Sequence, residues 1–256
     1  MPDEPMIRVG CPEIPPGVSP ARYMAALDYL ELASAFYRVP GDSALRKRAR
    51  GAPEGFGFGL VAEQVITHRP GPRGYARAGD DLDAASLAQA GGLRDTPVVR
   101  DAIARVASAA AAVGAETVLF RTADDLSPSE ASRELLRRFF AELAPAESFG
   151  DALRVWEPGG LWQPQAAQNL ADELGVVLAF DPLATDPTLD FPPPLPEAER
   201  SYFRIRGLGT SSAMPVDKLE ELAEACLGRD RIWAVFATPE RGHDASRFRQ
   251  LVAAAG

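Results

Sequence analysis

The segment VVRDAIARVASAAAAVGAETVLFR, residues 98–121, holds the repeating unit that decides the fold. Its first part, Val98–Val113, is an alanine-rich helical pattern, and Gly114 follows it as a stop signal. The next residues, Thr117–Arg121, form a short apolar run that favours a buried β-strand. A helix followed at once by a buried strand is typical of a parallel sheet covered by helices.

The same alternation extends along the whole chain. Eight short segments have the composition of strands: Ile7–Cys11, Tyr29–Ala33, Phe56–Ala62, Thr117–Arg121, Leu153–Glu157, Val176–Asp181, Tyr202–Arg206 and Ile232–Ala237. Helical patterns lie between them: Pro20–Leu27 after the cap Ser19, a short helix from Asp42 or Ser43 to Arg50, Val98–Val113, Ala131–Leu143 with Ser127 as the cap, Gln163–Leu174, Pro215–Leu227 and Asp244–Ala254. We therefore expect a parallel α/β fold.

Eight strands is the number that closes a TIM-like (β/α)8 barrel, and we predict this fold as a single domain over residues 1–256. A doubly wound open sheet is the alternative. No GxGxxG sequence follows the first strand, which disfavours it. The alternation breaks twice, in the Gly- and Arg-rich stretch Arg69–Gly92 and in Asp181–Glu199, whose six prolines predict that no full helix follows strand six.

Composition excludes several classes of protein. The 256 residues are 46% hydrophobic and 25% charged, with a formal net charge of −9, which argues against a general nucleic-acid binder. No run approaches the roughly 20 apolar residues of a membrane span, and the N-terminus does not read as a signal peptide. With two cysteines far apart and two histidines, the usual zinc sites and disulfide frameworks are not expected. We expect a cytoplasmic protein without a cofactor, whose partner is a small-molecule ligand.

Several short stretches, spread over nearly the whole chain in a fixed order, resemble one known family. They are Ile7-Arg-Val-Gly10, Glu31-Leu-Ala-Ser-Ala-Phe-Tyr-Arg38, Phe56-Gly-Phe with Ile66-Thr-His68, Trp156-Glu-Pro158, Asp181-Pro182, Tyr202-Phe-Arg204 with Gly207, and Asp244-Ala-x-x-Phe248. In this order they resemble the YecE-like family, also called domain of unknown function 72. The resemblance implies a TIM-like barrel and carries over no established activity.

The departures from the family pattern fall on polar positions. Ala33 and Ala35 stand where the family has Asn and Thr, and Val61-Ala62 replaces a Lys-Ala pair. A histidine of the family is Arg206 here, and paired asparagines at the end of strand eight are Ala237 and Thr238. Any chemistry that the family performs through those groups is therefore not implied for this chain.

Barrel enzymes place their sites at the C-terminal ends of the strands. The residues at or near those ends are Cys11, Glu31, His68, Arg121, Glu157, Asp181, Arg204, Arg206 and Thr238. Carboxylates and arginines that converge on one mouth need mutual pairing or a charged ligand. The sequence thus predicts a pocket for an anionic or polyhydroxylated molecule, with a self-satisfied salt-bridge network as the alternative.

The candidate catalytic residues are Glu31, Glu157 and Asp181. Glu31 and Glu157 could divide acid and base work between them, or Glu31 could pair with Arg8 or Arg38 instead. Asp181 could orient an arginine, or it could end strand six through an Asx turn.

The candidate ligand-binding residues are Tyr37, Arg38, His68, Arg121, Trp156, Arg204, Arg206 and Gly207. His68 is a proton carrier near neutral pH or a hydrogen-bonded structural histidine. Gly207–Ser212, beside Arg204 and Arg206, is an anion-binding loop for phosphate or a plain linker. Five aromatic residues could form a wall for a sugar or a base, or they could be core: Phe36, Tyr37, Trp156, Trp162 and Tyr202.

Two functions remain compatible with the sequence. The first is a hydrolase or isomerase that acts on a phosphorylated or carbohydrate-like small molecule at the C-terminal barrel face. The second is a non-catalytic relative that binds a ligand or a partner protein.

Overall fold

Eight parallel strands, hydrogen-bonded in sequence order, form a closed barrel in the computed structural model. The structure describes residues 6–71, 75, 82–184, 195–207 and 213–255. The strands are β1 Met6–Pro12, β2 Tyr29–Leu32, β3 Gly57–Val61, β4 Ala115–Arg121, β5 Leu153–Glu157, β6 Val177–Phe180, β7 Arg200–Ile205 and β8 Arg231–Phe236. All eight predicted strands are present with bounds within two residues, and the predicted (β/α)8 barrel is confirmed.

Helices connect most of the strands. They are α1 Pro20–Ala26, α2 Asp42–Arg50, α3 Gln64–Thr67, α4 Ala84–Gln89, α5 Pro97–Val113, α6 Glu130–Arg138, α7 Pro164–Leu174, α8 Val216–Glu224 and α9 Arg241–Ala255. Short 3-10 turns at Ala33–Phe36 and Ala146–Phe149 and a π-helical segment at Phe139–Leu143 supplement them. The two shortest described helices, α3 and α4, both follow β3. Helix α4 lies within Arg69–Gly92, the stretch predicted to be irregular, and α3 precedes that stretch.

Local signals set most helix ends. The Ser19 side chain accepts from the backbone N–H of Arg22, as predicted, and Gly114 and Gly175 adopt the left-handed conformation that stops α5 and α7. The predicted cap of α6 is wrong. Ser129 rather than Ser127 accepts from the N–H of Ser132, so the helix begins two residues later than the capping box indicated.

The connection after β6 fits the prediction where it is described. Residues 181–184 and 195–199 form no helix, and residues 185–194 lie outside the described chain. Each of the prolines would remove a helical hydrogen bond. Helix α9 differs from its prediction because it begins at Arg241, three residues before Asp244.

The chain divides into two compact units. Unit 1 comprises residues 1–31, 53–57 and 177–256, and unit 2 comprises residues 32–52 and 58–176. The sequence prediction of one domain over the whole chain stays a prediction.

Unit 1 contains β6, β7, β8, β1 and most of β2. Tyr202 of β7 pairs in register with Trp233 of β8, which in turn pairs with Arg8 of β1. Strands β1 and β2 approach so closely that a Cβ at Gly10 would lie 2.1 Å from the Tyr29 carbonyl oxygen. A larger residue than glycine therefore cannot be accommodated there without moving the strands.

Unit 2 contains β3, β4 and β5, covered by helices α2 to α7. Its interior includes an aromatic cluster in which Phe120 of β4 meets Phe139, Phe140 and Phe149 edge to face, at centroid distances of 5.5–5.7 Å. None of the described helices in either unit is long and apolar enough to cross a membrane.

Candidate functional site

The first candidate site lies at the strand ends of unit 2. The 3-10 turn after β2 places Phe36 in the interior and leaves Tyr37 39% exposed. Arg121 and Glu157 are the last residues of β4 and β5, and they are partners in the strand register. His68 ends the short helix α3 that follows β3. Because these elements are consecutive parallel strands and their extensions, residues distant in sequence meet at one edge.

Arg121 is held by an ion pair. Its Nε donates to Oε2 of Glu157 at 2.7 Å, and the Glu157 side chain is only 7% exposed while that of Arg121 is 34% exposed. The guanidinium carbon also lies 5.2 Å from the ring centroid of Phe36. A buried carboxylate and an aromatic face thus fix a cation that is still accessible to solvent.

His68 lies against the same aromatic ring. Its imidazole meets Phe36 edge to face at a centroid distance of 5.1 Å, and Nδ1 is 2.8 Å from Oγ1 of Thr67. Burial, and after it the positive charge of Arg121, lowers the pKa of His68 below its usual 6.5. The imidazole is therefore neutral at pH 7 and is able to accept a proton.

The remaining aromatic residues of unit 2 divide into exposed and buried groups. Tyr37 meets Phe36 edge to face at 5.2 Å and offers an exposed ring beside the cluster. Trp156 is fully buried, its Nε1 donates to Oγ1 of Thr122, and its ring packs on Trp162. Trp156 therefore belongs to the core, and its ring presents no face to a ligand.

The second polar cluster lies in unit 1, at the ends of β2 and β7. The Glu31 carboxylate is fully buried and accepts from Nε and Nη2 of Arg204 at 3.3 and 3.1 Å. It also accepts from the hydroxyl of Tyr202 at 2.7 Å. Tyr202 and Arg204 share one face of β7 because side chains alternate along a strand. Pairing of Glu31 with Arg8 or Arg38 was one of the two interpretations of the sequence, and the structure shows an ion pair of Glu31 with Arg204.

The pKa shifts of Arg204 and Tyr202 are those expected beside the buried Glu31 carboxylate. Burial opposes the charge on Arg204, but the attraction of Glu31 outweighs it and raises the pKa of Arg204. Burial, and after it the charge of Glu31, raises the pKa of Tyr202 well above its usual value. Tyr202 is thus a fixed hydrogen-bond donor, and Arg204 a fixed cation, over the whole physiological pH range.

The Asp181 carboxylate accepts hydrogen bonds from two backbone N–H groups. Oδ1 accepts from the N–H of Leu183 at 3.0 Å, which is an Asx turn, and Oδ2 accepts from the backbone N–H of Arg206 at 2.8 Å. Burial raises the pKa of Asp181. Of the two roles predicted for this residue, the structure shows the turn.

The proposed anion loop is only partly described. The Arg206 side chain is exposed, and Gly207 has a φ of +73°, which favours glycine. Residues 208–212 lie outside the described chain, so the loop prediction is not tested. Arg38 follows Tyr37 at an exposed position.

The other strand-end residues have structural partners. Cys11 is buried, and burial raises the pKa of its thiol to about 12, so it is unreactive near neutral pH. Thr238 donates to the buried Asp244 at 2.6 Å, and Asp244 also accepts from the N–H of Met214. Among the described residues no group of three His, Cys, Asp or Glu side chains is placed to hold a metal ion.

Sequence reasoning underestimated two residues. Phe36 supports both Arg121 and His68, and Tyr202 donates to Glu31. The sequence predicted Phe36 and Tyr202 only as members of an aromatic wall or of the core. The alternation of side chains along β7 was the available signal for Tyr202, since it places that residue on the same face as Arg204. The role of Phe36 depends on the 3-10 turn, for which the sequence shows no comparable signal.

A closed parallel barrel with charged and aromatic side chains at its strand ends defines an α/β protein of the TIM-barrel class. The family model described as "Protein of unknown function DUF72" matches residues 15–255, and the chain belongs to this family. The YecE-like resemblance seen in the sequence is thereby confirmed, because it denotes the same family.

Solved structures share the fold at low sequence identity. A DUF72 family protein from Enterococcus faecalis is 16% identical with a TM-score of 0.64, and the match covers 98% of this chain and 97% of that one. A DUF72 family protein from Thermotoga maritima is 13% identical with a TM-score of 0.63, covering 97% and 99%. A xylose isomerase domain containing protein from Salmonella typhimurium is 13% identical with a TM-score of 0.52, covering 94% and 93%. No curated protein matches the chain.

Proposed function

We propose that the protein is a small-molecule isomerase whose substrate is a carbohydrate-like or phosphorylated compound. The substrate would bind in unit 2 at the Phe36 cluster, which consists of Phe36, Tyr37, His68 and Arg121. The observation that carries the proposal is the pairing of unlike groups on one aromatic ring. Arg121 lies over Phe36 and the neutral His68 lies against it, so a cation and a proton acceptor are held side by side.

The cluster suits a ligand with hydroxyl or phosphate oxygens. The Arg121 guanidinium is fixed by Glu157 and is one-third exposed, so it can bind an oxygen-rich ligand without first being ordered. The exposed ring of Tyr37 lies beside it and can stack on the apolar face of a sugar ring.

The chemistry that fits these groups is proton transfer beside a carbonyl group. His68 would remove the proton from the carbon that carries a hydroxyl and return it to the neighbouring carbonyl carbon, while the hydroxyl proton passes to the former carbonyl oxygen. The enediolate formed between the two steps is negative, and Arg121 would stabilise it. A histidine with a lowered pKa is the appropriate base at neutral pH.

Hydrolysis by two carboxylates has less support. Glu31 accepts two bonds from Arg204, and Glu157 accepts one from Arg121. Both carboxylates are thus engaged by arginines rather than directed at a shared substrate position. The same ion pairs favour the second candidate, a binding protein without catalysis, because they resemble the self-satisfied network that was the alternative interpretation of the sequence.

The location that fits this function is the cytoplasm. Both cysteines are free thiols and both are buried, as is usual for proteins of a reducing compartment. Recovery of the protein in soluble, secreted form with a stable disulfide would argue against this location.

The test is a binding and exchange assay on wild type, Arg121→Met and His68→Gln. The probes are aldoses, ketoses and their phosphates, with calorimetry for binding and NMR for uptake of deuterium from D2O at carbon. We expect Arg121→Met to weaken binding about tenfold or more and His68→Gln to retain binding while losing exchange. Arg48→Met, at an exposed position on α2, is the matched control for loss of an arginine.

The outcomes separate the candidates. Binding that depends on Arg121 without any exchange in wild type would replace the isomerase with the non-catalytic binding protein. Absence of saturable binding across the panel, or equal binding in Arg121→Met, would contradict both.

A further inference from the structure

A cavity lies in unit 1, in the groove between helix α1 and the start of α9. Its volume is about 510 Å3, within the range of small-molecule sites. Apolar walls come from Pro15, Leu27 and Pro239, and the charged lining consists of Arg22, Arg241 and Glu240. His243 also lines it. All of these residues belong to unit 1, whereas the site proposed above is in unit 2.

Arg241 lines this cavity and carries a buried hydrogen-bond donor. Its backbone is anchored, since its N–H donates to the Thr238 carbonyl and its own carbonyl accepts from the Cys11 thiol. The Nε of its guanidinium is buried and has no hydrogen-bond partner among the described residues. A buried cationic donor without an acceptor is costly unless a ligand supplies one.

The charge around the cavity is opposite to that of the whole protein. Two arginines line the cavity with one carboxylate, Glu240, while the formal net charge of the chain is −9. A local excess of positive charge on an acidic protein selects for an anion through short-range contacts rather than through long-range attraction. Guanidinium groups match phosphate oxygens in geometry as well as in charge.

We propose that this cavity binds a phosphomonoester with an apolar or ring-shaped body. The phosphate group would contact Arg241 and Arg22, and the body would pack against the proline and leucine walls. The volume admits a molecule of this size, and an apolar lining beside two arginines explains why both halves of such a ligand are recognised. The site is independent of the isomerase proposed above.

The probe is phenyl phosphate, with inorganic phosphate and phenol as its two halves. The readout is the imidazole Cε1–H resonance of His243, which lines the cavity, in a protein with only two histidines. We expect a saturable shift with phenyl phosphate, a weaker one with inorganic phosphate and none with phenol. Arg241→Met and Arg22→Met should each weaken binding about tenfold or more, as expected for loss of one charge-assisted contact.

Controls make the test specific. Arg48→Met removes an exposed arginine from unit 2 and should leave the His243 shift with phenyl phosphate unchanged. Glu240→Gln should strengthen binding, because it removes the one carboxylate of the lining. No saturable shift of His243 with phenyl phosphate, or the same affinity in Arg241→Met and wild type, would overturn the proposal. Neither result would bear on His68 and Arg121.

Discussion

At the scale of single residues, the two carboxylates at the strand ends owe their state to the arginines beside them. Glu31 is fully buried with three donated hydrogen bonds, and Glu157 is nearly buried beside Arg121. A charge in such a position is tolerated only because its partner is present. The two carboxylates are therefore held in place as structural partners of Arg204 and Arg121.

Removal of one partner of the buried Glu31–Arg204 ion pair should destabilise the protein strongly. Arg204→Met leaves the Glu31 charge buried with only the Tyr202 hydroxyl of the three donated bonds, and we expect a loss of about 3–5 kcal/mol in the free energy of unfolding. The double variant Glu31→Gln with Arg204→Met should lose less than Arg204→Met alone, since no charge remains unpaired. Urea unfolding measures both. A double variant that is less stable than the single one would contradict this account.

His68 should make stability depend on pH. Its pKa is lowered in the folded protein, so the unfolded chain binds the proton more readily. Above a pH of about 6.5 both states are neutral at this residue and its effect is absent; as the pH falls from there through the folded pKa, the folded state loses stability. Urea unfolding of wild type between about pH 5 and 7.5 should show this loss, and His68→Gln should show less of it. Identical slopes in the two proteins would show that His68 is not desolvated.

At the scale of elements, a buried arginine joins two helix ends in unit 2. Arg154 of β5 donates to the carbonyl oxygens of Phe140 and Ala144, at the π-helical segment, and to those of Leu174 and Gly175, at the end of α7. The last carbonyl groups of a helix have no partner within the helix. One side chain thus completes the ends of two elements.

Arg154→Met should destabilise the protein by at least about 2 kcal/mol, because several carbonyl groups lose their donor at once. Hydrogen exchange should rise at the C-terminal turns of the π-helical segment and of α7. The matched control is Arg138→Met on α6, whose side chain is 56% exposed and forms surface ion pairs, and which should cost less than about 1 kcal/mol. Equal effects of the two substitutions would mean that Arg154 is not a specific clamp.

The elements themselves were largely predictable from the sequence. All eight strands follow from short apolar runs, and Gly114 and Gly175 mark helix ends correctly. The cap at Ser127 was wrong because Ser129 offers the same chemistry two residues later, and sequence alone does not rank two serines this close together.

The partners of the site residues were less predictable. Glu31, Arg121, Glu157 and Arg204 were placed at strand ends, but the ion pair of Glu31 with Arg204 depends on which side chains share a face of the barrel. Strands β2 and β7 are far apart in sequence, and no local pattern connects them. Pairing at this distance is a property of the closed barrel, not of any segment.

At the scale of the whole molecule, the chain keeps the DUF72 barrel while several polar positions of the family pattern carry other residues. Ala35 and Val61 are buried apolar residues where the resemblance leads one to expect polar ones. The charged groups that remain at the described strand ends are concentrated in two clusters, one in each compact unit. The proposed ligand site of unit 2 accordingly rests on Arg121 and His68.

The most direct test of this claim is the imidazole spectrum of the protein during titration with sugars and sugar phosphates. The chain has two histidines, so the Cε1–H resonance of His68 can be assigned with a single His68→Gln spectrum. We predict that at least one compound shifts the His68 resonance saturably, and that Arg121→Met needs about tenfold or more of the same compound for an equal shift. A His68 resonance that no compound moves, or that moves equally in wild type and Arg121→Met, would contradict the proposed site.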